Sequence, residues 1–288
     1  MRSGAAKRLW KRSIVLPSLR DEIRLGLSPE RVSALRVSRR WKPQVIDKHA
    51  VQCSGSASSD WRPCVEALQQ AVQELRSQKA DATVVFSNHF VRYALVPWSE
   101  HLVSEEEKLA WVRHHFIELY GEPAVPVDYR WSEGPPDTPC VATAVDSELL
   151  AHIRAVLAPT SLRLRSLQPY LMAVFNRLRR QVKKNPVWIV IPETGRVCVA
   201  AIANGQWRTI TSTGIGPDWH AELSLLIERR LLLSDETPAV VLAYGAEMEK
   251  LDLAHISDVP LRAFAPRALA GYSPLSDAEY SMALTGLV

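Results

Sequence analysis

Two stretches of the chain, 165 residues apart, share one layout. Residues 187–214 read VWIVIPETGRVCVAAIANGQWRTITSTG, and residues 23–52 read IRLGLSPERVSALRVSRRWKPQVIDKHAVQ. Each holds three apolar or β-branched runs separated by two turns: PETG and ANGQ in the later stretch, SPE and SRRWKP in the earlier. That pattern predicts a strand–turn–strand–turn–strand meander. At this offset Arg31-Val32 falls on Arg196-Val197, Leu25 on Val190, Leu27 on Pro192 and Val37 on Ile202, and Trp41 lies one place from the partner of Trp207. The identity is slight, and the repeated object is the meander. A repeat of such long period predicts two related halves.

The segments between the meanders alternate in period. Val65, Leu68, Val72 and Leu75 recur at helical spacing within 64–79. Residues 82–86 and 90–98 read as strands linked by Ser87-Asn88-His89. The run SEEEKLAWVRHHFIELY then predicts a helix opened by a Ser104–Glu107 capping box. Strands over 127–131 and 141–145, a helix over 146–157, an extended run over 162–167 and a basic helix over 169–184 follow. After the second meander come a helix over 217–233, a buried strand over 239–243, a short strand over 261–264 and a last helix over 276–288. Mixed strands and helices, led twice by a meander, predict an α/β fold with mixed sheets and flanking helices.

Composition bounds the partners. A chain of 288 residues with 47% apolar and 23% charged residues is ordinary for a globular protein. A net charge of +4 is too small for a dedicated nucleic-acid binder, so no specific nucleic-acid partner is expected. The positive charge is local: Arg2, Lys7, Arg8, Lys11, Arg12 and Arg20 precede the first acid, Asp21. Such a tail reads either as a solvated terminus or as a contact for an anionic membrane surface. Arg177, Arg179, Arg180, Lys183 and Lys184 form a second basic cluster, read as a solvated face or as a contact for an acidic partner. Cys53, Cys64, Cys140 and Cys198 have no C-x-x-C spacing and read as reduced thiols of a cytoplasmic protein. No apolar run approaches the ~18 residues of a membrane span.

The usual catalytic signatures are missing. No histidine pair has metal-site spacing, and adjacent His114 and His115 diverge by about 100° on a helix, so no metal is expected. There is no G-x-S-x-G, no P-loop and no G-x-G-x-x-G. What remains is Gly214-Ile215-Gly216 before a predicted helix, which offers backbone N–H groups to an anion, or is simply a turn.

In order, these pieces resemble the two-domain actin-like (ribonuclease-H-like) fold. Within it they resemble the PilM-like and GspL-like proteins of type IV pilus assembly and type II secretion. IRLGLSPERVSALRV resembles the family's first hairpin. VVFSNHFVRYALVPWSE with the following helix and DYRW resembles its strand pair and inserted subdomain. VWIVIPETGRVCVAAIANGQ resembles its second hairpin, and AVVLAYGAE with AEYSMALTGLV its closing strand and last helix. The resemblance implies a basic tail over 1–22, a first domain over 23–168 with an insert near 99–145, and a connecting helix over 169–186. A second domain over 187–275 and a terminal helix over 276–288 that packs back on the first domain complete the layout.

The resemblance also implies a nucleotide cleft between the hairpins, and the departures from it carry the functional expectation. Leu25-Gly26-Leu27 and Ile191-Pro192-Glu193 stand where nucleotide-binding members carry an aspartate, and the single Gly245 stands where they carry a glycine pair. Without those carboxylates an Mg-triphosphate loses its main electrostatic partner. Glu193, Gly214, Gly216 and Gly245 are therefore expected to mark a vestigial nucleotide cleft, with no cofactor. The implied function is a non-catalytic adaptor at the cytoplasmic side of the inner membrane. It would bind the cytoplasmic tail of a membrane partner through Phe90, Tyr93, Trp98 and Trp111, and in some relatives the assembly ATPase as well. The alternative kept open is a divergent ATPase or kinase that holds ATP and Mg²⁺ weakly, with Glu193 as its acid.

Overall fold

The computed structural model describes residues 20–39, 42–54, 60–75, 79–182, 185–216, 219–234, 237–245, 248, 255–256 and 259–287. Residues 1–19 of the expected basic tail over 1–22, together with Trp41, Lys183 and Lys184, lie outside the described residues.

The first meander is β1 (Glu22–Leu27), β2 (Arg31–Ser38) and β3 (Gln44–Gln52). Helix α1 (Arg62–Glu74) and strand β4 (Ala80–Phe86) follow. Then come β5 (Val91–Val96), α2 (Glu105–Tyr120), β6 (Val127–Ser132) and β7 (Cys140–Asp146). Helix α3 (Ser147–Leu157), strand β8 (Leu162–Pro169) and helix α4 (Tyr170–Leu178) lead to the second meander. That meander is β9 (Val187–Glu193), β10 (Arg196–Ala203) and β11 (Gln206–Gly214). The chain ends with α5 (Trp219–Leu232), β12 (Val240–Tyr244), β13 (His255–Ile256), β14 (Val259–Phe264) and a single-turn α6 (Ser281–Leu284).

The described residues form three sheets. Their strand orders are β3-β2-β1-β4-β8, β11-β10-β9-β12-β14-β13 and β5-β7-β6. In each large sheet the meander is antiparallel, and its first strand pairs in parallel with the next strand, β1 with β4 and β9 with β12. The repeat seen in the sequence is structural. Residues 31–38 and 196–203 are the middle strands, with the same alternation of buried and half-buried positions. A register shift falls between Arg36 and Val37 in one half and between Ala201 and Ile202 in the other, again 165 apart. The two β-bulges twist both meanders at the same place. The turn between β10 and β11 is Asn204-Gly205, both at positive φ (53° and 73°), as a two-residue hairpin with right-handed twist requires.

One core runs through both halves. Ile23, Leu25, Leu27, Val84 and Leu171 of the first half share a buried cluster with Ile189, Ile191, Ala200 and Ile202 of the second. The capping box is present: Glu107 N–H donates to Ser104 Oγ at 3.1 Å and Ser104 N–H to Glu107 Oε2 at 2.8 Å.

Three expectations need correction. The inserted unit begins with β5, not near residue 99, because β5 pairs only with β7 of the small sheet. The helix expected over 169–184 stops at Leu178, where its apolar stripe of Leu171, Val174 and Leu178 ends, and Pro186 bars helical backbone at Asn185. Arg179 and Arg180 therefore sit in a turn, not on a basic helix. The terminal helix is cut to Ser281–Leu284; at its C-terminal end buried Arg24 takes the carbonyls it would need to continue. Arg24 Nε donates to Ala283 O at 2.6 Å and Nη2 to Thr285 O at 2.5 Å, and Gly286 at φ +81° turns the chain away.

Candidate functional site

The parallel pairings put the tips of both hairpins at one end of the two sheets, facing each other across a cleft. The cleft holds about 280 Å³, below the usual range for organic-ligand sites of roughly 300–1,000 Å³. Ser28, Glu30 and Arg31 line it from the first tip, Glu193 and Thr194 from the second, and Gly245 and Glu279 from the far wall.

The two tips are bonded together. Glu193 ends β9 and reaches into the first half. Its Oε2 accepts from the Asn88 backbone N–H at 3.1 Å and from Asn88 Nδ2 at 2.7 Å, and its Oε1 accepts from the Ser87 hydroxyl. Asn88 is fixed in turn by Tyr93, whose hydroxyl donates to Oδ1 at 2.7 Å, and by the Leu171 N–H at 3.1 Å. Beside it, His89 Nε2 donates to the Thr194 carbonyl at 3.0 Å, and the Thr194 hydroxyl donates to Glu30 Oε2 at 3.2 Å. Burial raises the Glu193 pKa above the ordinary carboxylate value, although the three donors pull it back. Burial lowers that of His89, which stays neutral near pH 7.

Of the expected cleft residues, Glu193 and Gly245 line the cavity and Gly214 and Gly216 do not. Gly214 is the exposed end of β11, paired with Arg196. The Gly216 N–H already has an anion: Glu222 Oε2, from the first turn of α5, accepts it at 2.8 Å. A chain carboxylate thus fills the place expected for a phosphate. At Gly245 a Cβ would stand 3.5 Å from Met248 Cγ, an ordinary contact, so packing within the chain does not require glycine there. Gly26 is different, because a Cβ would lie 2.7 Å from Ser33 Oγ and 3.0 Å from the backbone N of Ala283.

Sequence reading singled out Glu193 alone among hairpin acids. Glu30 and Glu279 also face the cleft, and Arg31 lies between them, 3.8 Å from Glu30 and 3.3 Å from Glu279. Glu30 stood in the recognised SPE turn, but its pairing with Thr194 joins residues 164 apart and leaves no local signal.

The four aromatics of the expected groove are not brought together in one cavity, and of them only Phe90 lines the recess described below. Phe90 and Tyr93 are 7% and 3% exposed and belong to the main core. Trp98 is 42% exposed. Trp111 is half-buried; its indole donates to Pro97 O at 3.1 Å and its ring lies 4.8 Å from that of His115. A recess of about 430 Å³ does open between the first half and the inserted unit, lined by Trp61, Arg62, Phe90, Arg92, Val125 and Asp146 among others. Among the described residues no group of three or more His, Cys, Asp or Glu could hold a metal, and no helix is long and apolar enough to cross a membrane.

This architecture, two meander-led mixed sheets around a cleft with a small inserted sheet, is the actin-like fold. Solved structures bear this out. The chain is similar to a PilM-PilN type IV pilus biogenesis complex, with a TM-score of 0.67 at 13% identity over 92% of this chain and 96% of that one. It is similar to the cytoplasmic domain of EpsL, an inner-membrane component of the type II secretion system of Vibrio cholerae, with a TM-score of 0.56 at 12% identity over 92% and 93%. A Bacteroides thetaiotaomicron protein with an actin-like ATPase fold and unknown function matches with a TM-score of 0.55 at 11% identity over 86% and 91%. No family model and no curated protein matches the chain.

Proposed function

We propose that the protein is a non-catalytic, actin-like adaptor that holds the cytoplasmic tail of an inner-membrane protein in a pilus-assembly or secretion platform. The observation that carries this is the clasp across the cleft. Glu193 spends its carboxylate on Ser87 and Asn88, and Thr194 is bonded to Glu30. The remaining acids, Glu30 and Glu279, share Arg31. Mg²⁺ bound to a nucleotide would need those carboxylates to be released and Arg31 displaced. The fold therefore serves as a rigid frame rather than a closing jaw.

The likeness to PilM solved with PilN supports a peptide partner. The recess beside the inserted unit suits one. It mixes apolar surface (Trp61, Val125) with Arg62, Arg92 and Asp146, and Val125 is 40% exposed. The assembly ATPase and an anionic membrane surface are further partners of the same kind of platform. The test is capture of inner-membrane proteins by the tagged chain in its own host, with cross-linking and mass spectrometry. Val125→Arg fills the recess with a cation at an exposed site and should abolish capture while leaving the fold intact. Trp98→Ala, at a surface position outside this recess, should leave it unchanged. Unchanged capture by Val125→Arg would refute the recess as the tail site.

A further inference from the structure

The internal repeat shows where the second half is uncovered. In the first half α1 lies across β2 and β3, with Cys64 and Leu68 packed on the face that carries Val32 and Ala34. The equivalent face of the second half carries Val197 and Val199, and its helix is α5, packed there through Leu223 and Ile227. Helix α5 leans towards β13, at the opposite edge of the sheet from β11. Over β11 and the Ala201 end of β10, the surface that α1 covers in the first half is left open. It forms a recess of about 500 Å³ between the sheet and α5.

The lining of this recess is selective. Its floor is Trp188, Val199 and Ala201, and one wall is the row Thr209, Thr211 and Thr213, alternate residues on one face of β11. Arg208, Arg229 and Arg230 stand round it, and no described lining residue is acidic. Arg230 is anchored, its Nη1 donating to Thr211 Oγ1 at 2.8 Å.

The outer face of α5 continues the theme. At about 100° per residue, Leu225, Leu226, Arg229, Arg230 and Leu232 fall within an arc of roughly 160° beside the buried stripe, and Leu233 follows in the turn that ends the helix. Leu225, Leu232 and Leu233 are 66%, 87% and 76% exposed. Exposed leucines grouped on one helix face mark an interaction surface.

We infer that this recess and the α5 face dock an amphipathic helix of a partner protein, one bearing leucine-type side chains flanked by Asp or Glu. Three observations select that occupant. A helix already fills the equivalent position in the first half. The rim is cationic, so its complement is acidic. The surface is concave, which accepts a ridge of helix side chains and not the plane of a bilayer. The site lies on a different half from the tail recess and does not depend on it.

The test uses the full chain and a synthetic helical peptide of about 18 residues, five turns long, with a leucine stripe between glutamate rows. A lysine-for-glutamate version of the same peptide is the control. The glutamate peptide should bind saturably, lose affinity with added salt, and bind at least about tenfold more tightly than the lysine peptide. Arg229→Glu and Leu233→Ser, both at exposed positions, should each weaken binding about tenfold, with unchanged circular dichroism and an unchanged tail-capture result. No binding, equal binding of the two peptides, or insensitivity to both substitutions would overturn the inference. So would recruitment of the chain to anionic phosphatidylglycerol vesicles that the peptide fails to compete, or self-association lost in Leu233→Ser.

Discussion

Replacing Glu193 by alanine separates a clasp from a catalytic acid. Its half-buried carboxylate accepts three hydrogen bonds, from the Ser87 hydroxyl, the Asn88 N–H and the Asn88 side-chain amide. Hydrogen bonds to a charged group contribute about 1.5–3 kcal/mol each, and each buried donor left without a partner costs about 1–3 kcal/mol. Three bonds are lost. Against this stand the desolvation of the carboxylate, which its removal relieves, and entry of cleft water to the stranded donors. The net loss should be about 2–4 kcal/mol. At roughly 2 °C per kcal/mol for a chain larger than 250 residues, Tm should fall by about 4–8 °C. Thermal and urea unfolding of Glu193→Ala beside the parent give the number, and Glu193→Gln, which keeps one acceptor, should fall between them. A residue held for chemistry behaves oppositely, since its removal is neutral or stabilising. An unchanged or raised Tm in Glu193→Ala would refute the clasp.

The same carboxylate fixes a pH dependence. The folded pKa of Glu193 is raised above 4.5, so the folded state holds its proton where the unfolded chain has released it. Its contribution is fully present below the unfolded value and is lost as pH rises through the raised folded value. The stability difference between parent and Glu193→Gln should therefore change across that window and be flat above it, as read from urea midpoints. Arg24→Met removes the cation that binds the carbonyls of Ala283 and Thr285 and leaves Glu22 with Thr83 and Arg39; it should cost about 3–5 kcal/mol and speed amide exchange in residues 281–287. Ser104→Ala deletes the α2 cap and should cost about 1 kcal/mol, confined to the inserted unit by hydrogen exchange.

The fold was legible because its signals are local. Runs of β-branched residues, the Asn-Gly turn and the Ser104–Glu107 box each lie within a few residues, and the repeat only required two such runs to be compared. The offset of 165 placed the middle strands to the residue because both hairpins pair in the same register, Leu27 with Val32 and Pro192 with Val197. Helix ends were less legible. What stops α6 is Arg24, some 260 positions away in sequence, and no periodicity in 276–288 carries that. The cleft was half legible. The absence of a hairpin aspartate could be read, but the use made of Glu193 could not, since Ser87 and Asn88 are more than 100 residues away. Burial also separated the aromatics in a way their types do not reveal: Tyr93 serves Asn88 from inside the core, while Trp98 stays at the surface.

The central proposal is that the actin-like cleft, held by its own side chains, has no use for a nucleotide. Calorimetric titration of the full chain with Mg-ATP and with Mg-ADP tests it most directly. The account predicts no saturable heat and no thermal stabilisation at millimolar nucleotide. Micromolar binding, lost in Glu193→Gln or with a bulky residue at Gly245, would contradict it and return the cleft to chemistry.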